Sequence, residues 1–111
     1  MSNITNQSLS EILKSIKSKK ISSLELTQAY IKNIENAKKL NAFVTTTFDQ
    51  ALENAKKFDN KPNNEQLLSG IPLAVKDLFC TENVKTTAGS NILNNFVPSY
   101  ESLSLIHIWR C

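Results

Sequence analysis

Leu9, Ile12, Leu13 and Ile16 recur at helical spacing behind a Ser8-x-x-Glu11 pair, which predicts a short amphipathic helix opened by a capping box and ending among lysines 17 to 20. The signal repeats at once. Ser22 stands three residues before Glu25, Ile21 can staple against Leu26, and Leu26, Ala29, Tyr30, Ile34 and Ala37 share one face, predicting a helix from 23 to about 39. "AFVTTTF", residues 42 to 48, is dense in β-branched and aromatic residues and predicts a strand. Asp49 then caps a third helix running to about Phe58, with Ala51, Leu52, Ala55 and Phe58 inward. "DNKPNNEQ" is a polar loop around a proline.

"GIPLAVKD" places Ile71, Leu73, Ala74 and Val75 in a short apolar run, with Gly70 and Pro72 near its start, where a strand tolerates them. This predicts a buried strand that ends at Lys76 or Asp77. "CTENVKTTAGS" reads as a loop, and "SNILNNF" as a short helix capped by Ser90. Two leading helices, a strand, a helix and the strand carrying Lys76 imply an α/β layer arrangement. There is no internal repeat and no low-complexity tract.

A chain of 111 residues with 41% apolar and 21% charged residues fits one small globular domain or a piece of one. Its apolar runs are far short of the ~20 residues of a membrane span, and the start lacks the plan of a secretory signal. A cytoplasmic protein with no membrane attachment is expected. The net charge of +3 is modest, and the lysines alternate with glutamates along helical faces, which argues against a direct nucleic-acid surface. Gly70 and Gly89 are the only glycines, too few for a phosphate-cradling loop. The only Trp, His and Arg are Trp109, His107 and Arg110, beside the second cysteine, Cys111. That concentration marks residues 103–111 as a non-native tail of the read-through kind, so residues 1–102 carry the expected domain. With His107 set aside, Cys80 alone cannot build a zinc site.

Lys76 is the residue with the most chemistry to offer. Burial disfavours a charged amine, so a lysine in an apolar run pairs, reaches water or loses its proton, and only the neutral amine acts as a base. Such an amine can take a proton from a serine hydroxyl. From spacing alone, Lys76 can equally mark the strand's exit into water or pair with Asp77. Asp77 either orients Lys76 or caps the following turn, and the cap is the plainer role. Ser90 either lines a pocket or caps the short helix, again with the cap favoured. Cys80 lacks a histidine partner and reads as a buried structural thiol. Thr86 and Thr87 suggest no role. The face Leu26, Tyr30, Ile34 serves the fold's own body more naturally than a partner.

"SGIPLAVKD", "CTENVKTTAGS" and "FVPSY" resemble the amidase signature family, and within it the A-subunit family of the aspartyl/glutamyl-tRNA amidotransferases. "SLSEILKSIKSKKISSLELTQAYIKNIE" and "LNAFVTTTFDQAL" match that layout, so the likeness covers residues 8 to 102. The resemblance implies that residues 1–102 are the incomplete N-terminal portion of an amidase domain with a mixed sheet between helical layers. It implies a Ser-Ser-Lys triad in which Lys76 accepts the proton through a bridging serine. It also implies glutamine as substrate, B and C partner subunits, and ATP and Mg used by the partner, which amidates Glu-tRNA(Gln) or Asp-tRNA(Asn). No cofactor is implied for this chain itself. The family's glycine-serine-rich segment, with both serines and other substrate-binding groups, has no counterpart here, since no glycine follows Gly89. The chain is therefore expected to be inactive alone and prone to aggregate through uncovered sheet edges. A general small-amide amidase and a non-catalytic helical interaction domain are the alternative readings.

Overall fold

The computed structural model of the chain describes residues 4–63 and 65–103. These divide into two compact units, one running to Ala42 and resuming at Phe48–Pro72, the other taking Phe43–Thr47 and the chain from Leu73 on.

The first unit is helical. Helix α1, Leu9–Lys17, opens on the expected capping box: the Ser8 hydroxyl accepts from the Glu11 amide while Glu11 returns a carboxylate oxygen to the Ser8 amide at 2.8 Å. It closes in a Schellman turn, with Lys19 in the left-handed region at φ 56°, the Lys20 amide donating to Ser15 and the Lys19 amide to Ile16. Helix α2, Ser23–Asn36, repeats the box with Ser22 and Glu25. Its last predicted turn tightens instead into a 3₁₀ turn, Lys38–Leu40, ended by Asn41 at φ 50°, a conformation that asparagine tolerates. Helix α3, Phe48–Asn60, begins one residue before the expected cap, so Asp49 lies inside its first turn. The predicted inward face is correct: Ala55 is buried, with Ala51, Leu52 and Phe58 half-buried on the same side. Helices α2 and α3 pack together, and Ile12, Leu26 and Ala55 form the buried apolar set.

Two long-range contacts fix this unit. The Asp59 carboxylate, at the end of α3, accepts from the Ser23 and Leu24 amides at 2.9 and 3.0 Å. With Ser22 receiving the Glu25 amide and Glu25 receiving that of Ser22, every amide that α2 cannot satisfy internally has a partner. The buried Ser23 hydroxyl donates to the Gly70 carbonyl at 2.7 Å. Gly70 has φ +81°, and a Cβ there would meet the Phe58 ring at 2.5 Å.

The predicted strands are not present among the described residues. Residues 42–47 and 71–76 have no regular structure, and Phe43, Val44, Leu73 and Val75 are exposed, so the strand carrying Lys76 and the sheet of the α/β arrangement are corrected to an irregular path. A β-branched run becomes a strand only when a neighbouring backbone takes its amides and carbonyls, and neither segment has such a neighbour here. The one bridge among the described residues, Thr81 with Val84, lies within a tight turn.

In the second unit the backbone folds by turns. The amides of Asn83 and Thr86 donate to Pro98 and Phe96 at 2.9 and 3.1 Å, and that of Ser102 to Cys80 at 2.9 Å, so residues 80–86 run beside 96–102. A 3₁₀ turn, Asn91–Leu93, stands where a short helix was expected, with the Ser90 hydroxyl accepting from Ile92 as its cap. No helix among the described residues is long and apolar enough to cross a membrane. The reading of 103–111 as a foreign tail falls, beyond Leu103, outside the described residues.

Two outcomes follow from the first unit. Gly70→Ala forces a side chain onto Phe58 from a backbone that favours glycine, and should lower stability by about 2 kcal/mol or more in a denaturant titration. Glu11 and Glu25 are held below the ordinary glutamate range, first by the serine amides and then by the serine hydroxyls they accept from. Their contribution is therefore complete above the ordinary glutamate value and lost as pH falls through the lowered ones. Circular dichroism should show helix loss on acidification, and less of it in a Glu11→Gln, Glu25→Gln variant, whose amides stay uncharged.

Candidate functional site

Lys76 ends the irregular segment 71–76, and its carbonyl accepts from the Phe79 amide at 3.0 Å, closing a turn directly after it. Its side chain is exposed and in no ion pair among the described residues. The buried setting expected from the apolar run is absent in this chain. The two exits left open by spacing resolve in favour of water, not of a pair with Asp77.

The Asp77 carboxylate is engaged elsewhere. One oxygen accepts from the Thr87 amide at 2.8 Å; the other accepts from the Thr87 hydroxyl in a short hydrogen bond and from the Gly89 amide at 3.4 Å. The Ala88 amide completes the set by donating to the Asp77 carbonyl at 2.9 Å. Three successive amides thus close on one residue. They can do so because Ala88 and Gly89 both have positive φ, 48° and 70°, and the Ser90 amide returns to the Thr87 carbonyl at 2.8 Å, as in a type I′ turn. Asp77 is consequently held below the ordinary aspartate range, first by the Thr87 hydroxyl and next by the Thr87 amide, with Gly89 and the charge of Lys85 adding to the effect. Asp77 does cap a turn, but one ten residues later, not the one that follows it.

Thr86 and Thr87, to which the sequence assigned no role, are both buried. The Thr86 hydroxyl donates to the Val84 carbonyl at 3.1 Å and lies 3.5 Å from the Thr81 amide, stitching the 81–86 loop. The available signal was the run of small polar residues before Gly89, which is turn chemistry. Cys80 is half-buried and not enclosed as expected; its thiol lies 3.7 Å from the Tyr100 hydroxyl, a contact that raises the phenol above its usual range. Leu26 is fully buried and Tyr30 and Ile34 half-buried, so the α2 face serves its own unit. No group of His, Cys, Asp and Glu among the described residues could hold a metal ion.

Comparison with known proteins bears on the same stretch. Residues 25–107 match the family described as Amidase. The chain is 56% identical over 110 residues to the A subunit of glutamyl-tRNA(Gln) amidotransferase from Pelagibacter ubique, covering 99% of this chain and 23% of that protein. It is 46% identical over 112 residues to the protein of the same name from Beijerinckia indica, with the same coverage. Against that of Rickettsia bellii it is 49% identical over 104 residues, covering 92% of this chain and 21% of the relative. The chain thus spans less than a quarter of the length of the curated relatives it matches.

Because Asp77 is held below its ordinary range, its hold on the turn is complete above the ordinary aspartate value and fades as pH falls through the lowered one. The Thr87 and Gly89 amide resonances should shift together with pH in that acidic window. In Asp77→Asn the shift should vanish, since no proton is taken up there.

Proposed function

Because the chain belongs to the amidase family, we propose that it is the N-terminal part of the glutamine-hydrolysing A subunit of an amidotransferase acting on Glu-tRNA(Gln) or Asp-tRNA(Asn). The observation that carries this reading is the 56% identity to a protein of that kind over nearly the whole chain. In the complete protein, a serine hydroxyl from the glycine-serine-rich segment attacks the glutamine side-chain amide. A second serine passes its proton to the neutral Lys76 amine, which returns it to the departing ammonia; water then releases glutamate from the acyl-enzyme.

The mixed sheet belongs to that complete protein too. Leu73 and Val75, exposed at 42% and 37% in this chain, would gain strand neighbours there, and the same cover would take the Lys76 amine out of water. The B and C subunits would receive the ammonia and carry out the ATP- and Mg-dependent amidation of tRNA in the cytoplasm. No metal or nucleotide is required of the residues in this chain. The chain has no glycine beyond Gly89 and so none of the glycine-serine-rich segment, which leaves a proton acceptor without an attacking group and no hydrolysis by the chain alone.

Lys76→Ala in the complete protein tests the assignment, with ammonia release from glutamine as the readout. A fall in kcat of about 10³-fold or more is expected for a lost triad member. Retained hydrolysis would remove Lys76 from the mechanism. A wild-type protein that ignores glutamine but cleaves small amides would point to a general amidase instead.

A further inference from the structure

Lys76 and Asp77 are adjacent in sequence, yet the carboxylate turns to Thr87 and Gly89 and makes no ion pair with the lysine. A lysine meant to work as a base is ill served by a free carboxylate beside it, because an opposite charge within a few ångströms favours the ammonium form. The second unit keeps that carboxylate ionised but turns it toward the Thr87 and Gly89 donors instead of toward Lys76. Three donor groups, two of them on the buried Thr87, occupy both carboxylate oxygens, and the other charged group that acts on Asp77 is Lys85, from the preceding loop. The same bonds, with the Ala88 amide on the Asp77 carbonyl, tie the backbone next to Lys76 to the 87–90 turn.

On the proposed amidase reading, we propose that Thr87 and Asp77 form a latch of positioning residues: Thr87 sequesters the Asp77 carboxylate from Lys76 and fixes the stretch of backbone from which the amine projects. Neither residue touches substrate. The latch has two separable consequences, one for the aim of Lys76 and one for its charge. Thr87→Val removes the hydroxyl donor and loosens a still-charged carboxylate beside the lysine, leaving only the two backbone amides on it. Asp77→Asn weakens the same tie without leaving any charge to release.

The two variants should therefore differ in a way that simple loss of structure would not produce. In the complete protein, with glutamine as substrate, both should lower kcat by about 10- to 100-fold, as expected for a misplaced catalytic group, with KM little changed. Only Thr87→Val should also move the acidic limb of the kcat/KM profile to higher pH; Asp77→Asn should leave that limb in place or move it lower. Thr87→Ser, which restores a hydroxyl, should recover both rate and profile. The latch is overturned if Thr87→Val and Asp77→Asn keep kcat within about two-fold of the parent, or if their pH profiles move alike. Should Thr87→Val not fold, Asp77→Asn and Thr87→Ser decide: a full-rate Asp77→Asn, or a Thr87→Ser as slow as Asp77→Asn, overturns it. Lys76→Ala separates the two levels. If that variant stays active, the amidase mechanism itself fails; if it is dead while the latch variants are normal, only the latch does.

Discussion

A half-buried carboxylate held in one direction needs donors, and the second unit supplies three of them to Asp77. Among its described residues, those buried are Thr86, Thr87 and Pro98, with no large aliphatic side chain among them. Burial of apolar area therefore does little to hold residues 73–103 in place, and the hydrogen bonds of a charged acceptor do correspondingly more. The left-handed pair Ala88 and Gly89 follows from that demand. Only by reversing the backbone hand at those two positions do three consecutive amides face one residue. Gly89 meets this without strain and Ala88 does not, so the unit tolerates a cost at one position to complete the ring of donors.

The first unit obeys the same rule with different means. Its helices begin where a serine and a glutamate three residues apart satisfy each other's amides, and that pattern is legible because the whole motif fits within four residues. The inward face of α3 was legible for the same reason, since helical periodicity is local. What could not be read was every contact whose partners lie far apart. Asp59 under α2, Ser23 on Gly70 and Thr87 on Asp77 pair residues 36, 47 and 10 positions apart. Nothing in the spacing of an isolated aspartate announces which amides it will find.

The two expected strands fail on related grounds. "AFVTTTF" and "IPLAV" have the composition of strands, but composition states only that a segment would suit a sheet, and the sheet must be supplied by other backbone. Around Lys76 this leaves Leu73, Val75, Leu78 and Phe79 facing water, and further along Phe96, Val97 and Tyr100 as well. For a chain spanning less than a quarter of its relatives, such side chains are the surface that a larger body would cover on the proposed reading, and the lysine's chemistry would begin with that covering. The sequence singles out Lys76 and carries the resemblance, while the hydrogen bonds of its neighbour Asp77 with Thr87 were visible only in three dimensions.

The hold of Asp59 on α2 also sets an order of events during synthesis. A ribosome delivers Ser23 and Leu24 well before Asp59, so the first turn of α2 must wait, hydrated at two of its amides, until 36 further residues have emerged. The hydroxyl of Ser23 waits longer still, for the Gly70 carbonyl. The nascent chain therefore fastens the start of α2 in two steps, first by Asp59 and then by Gly70, and a pause in translation between those two codons would leave the Ser23 hydroxyl without its acceptor.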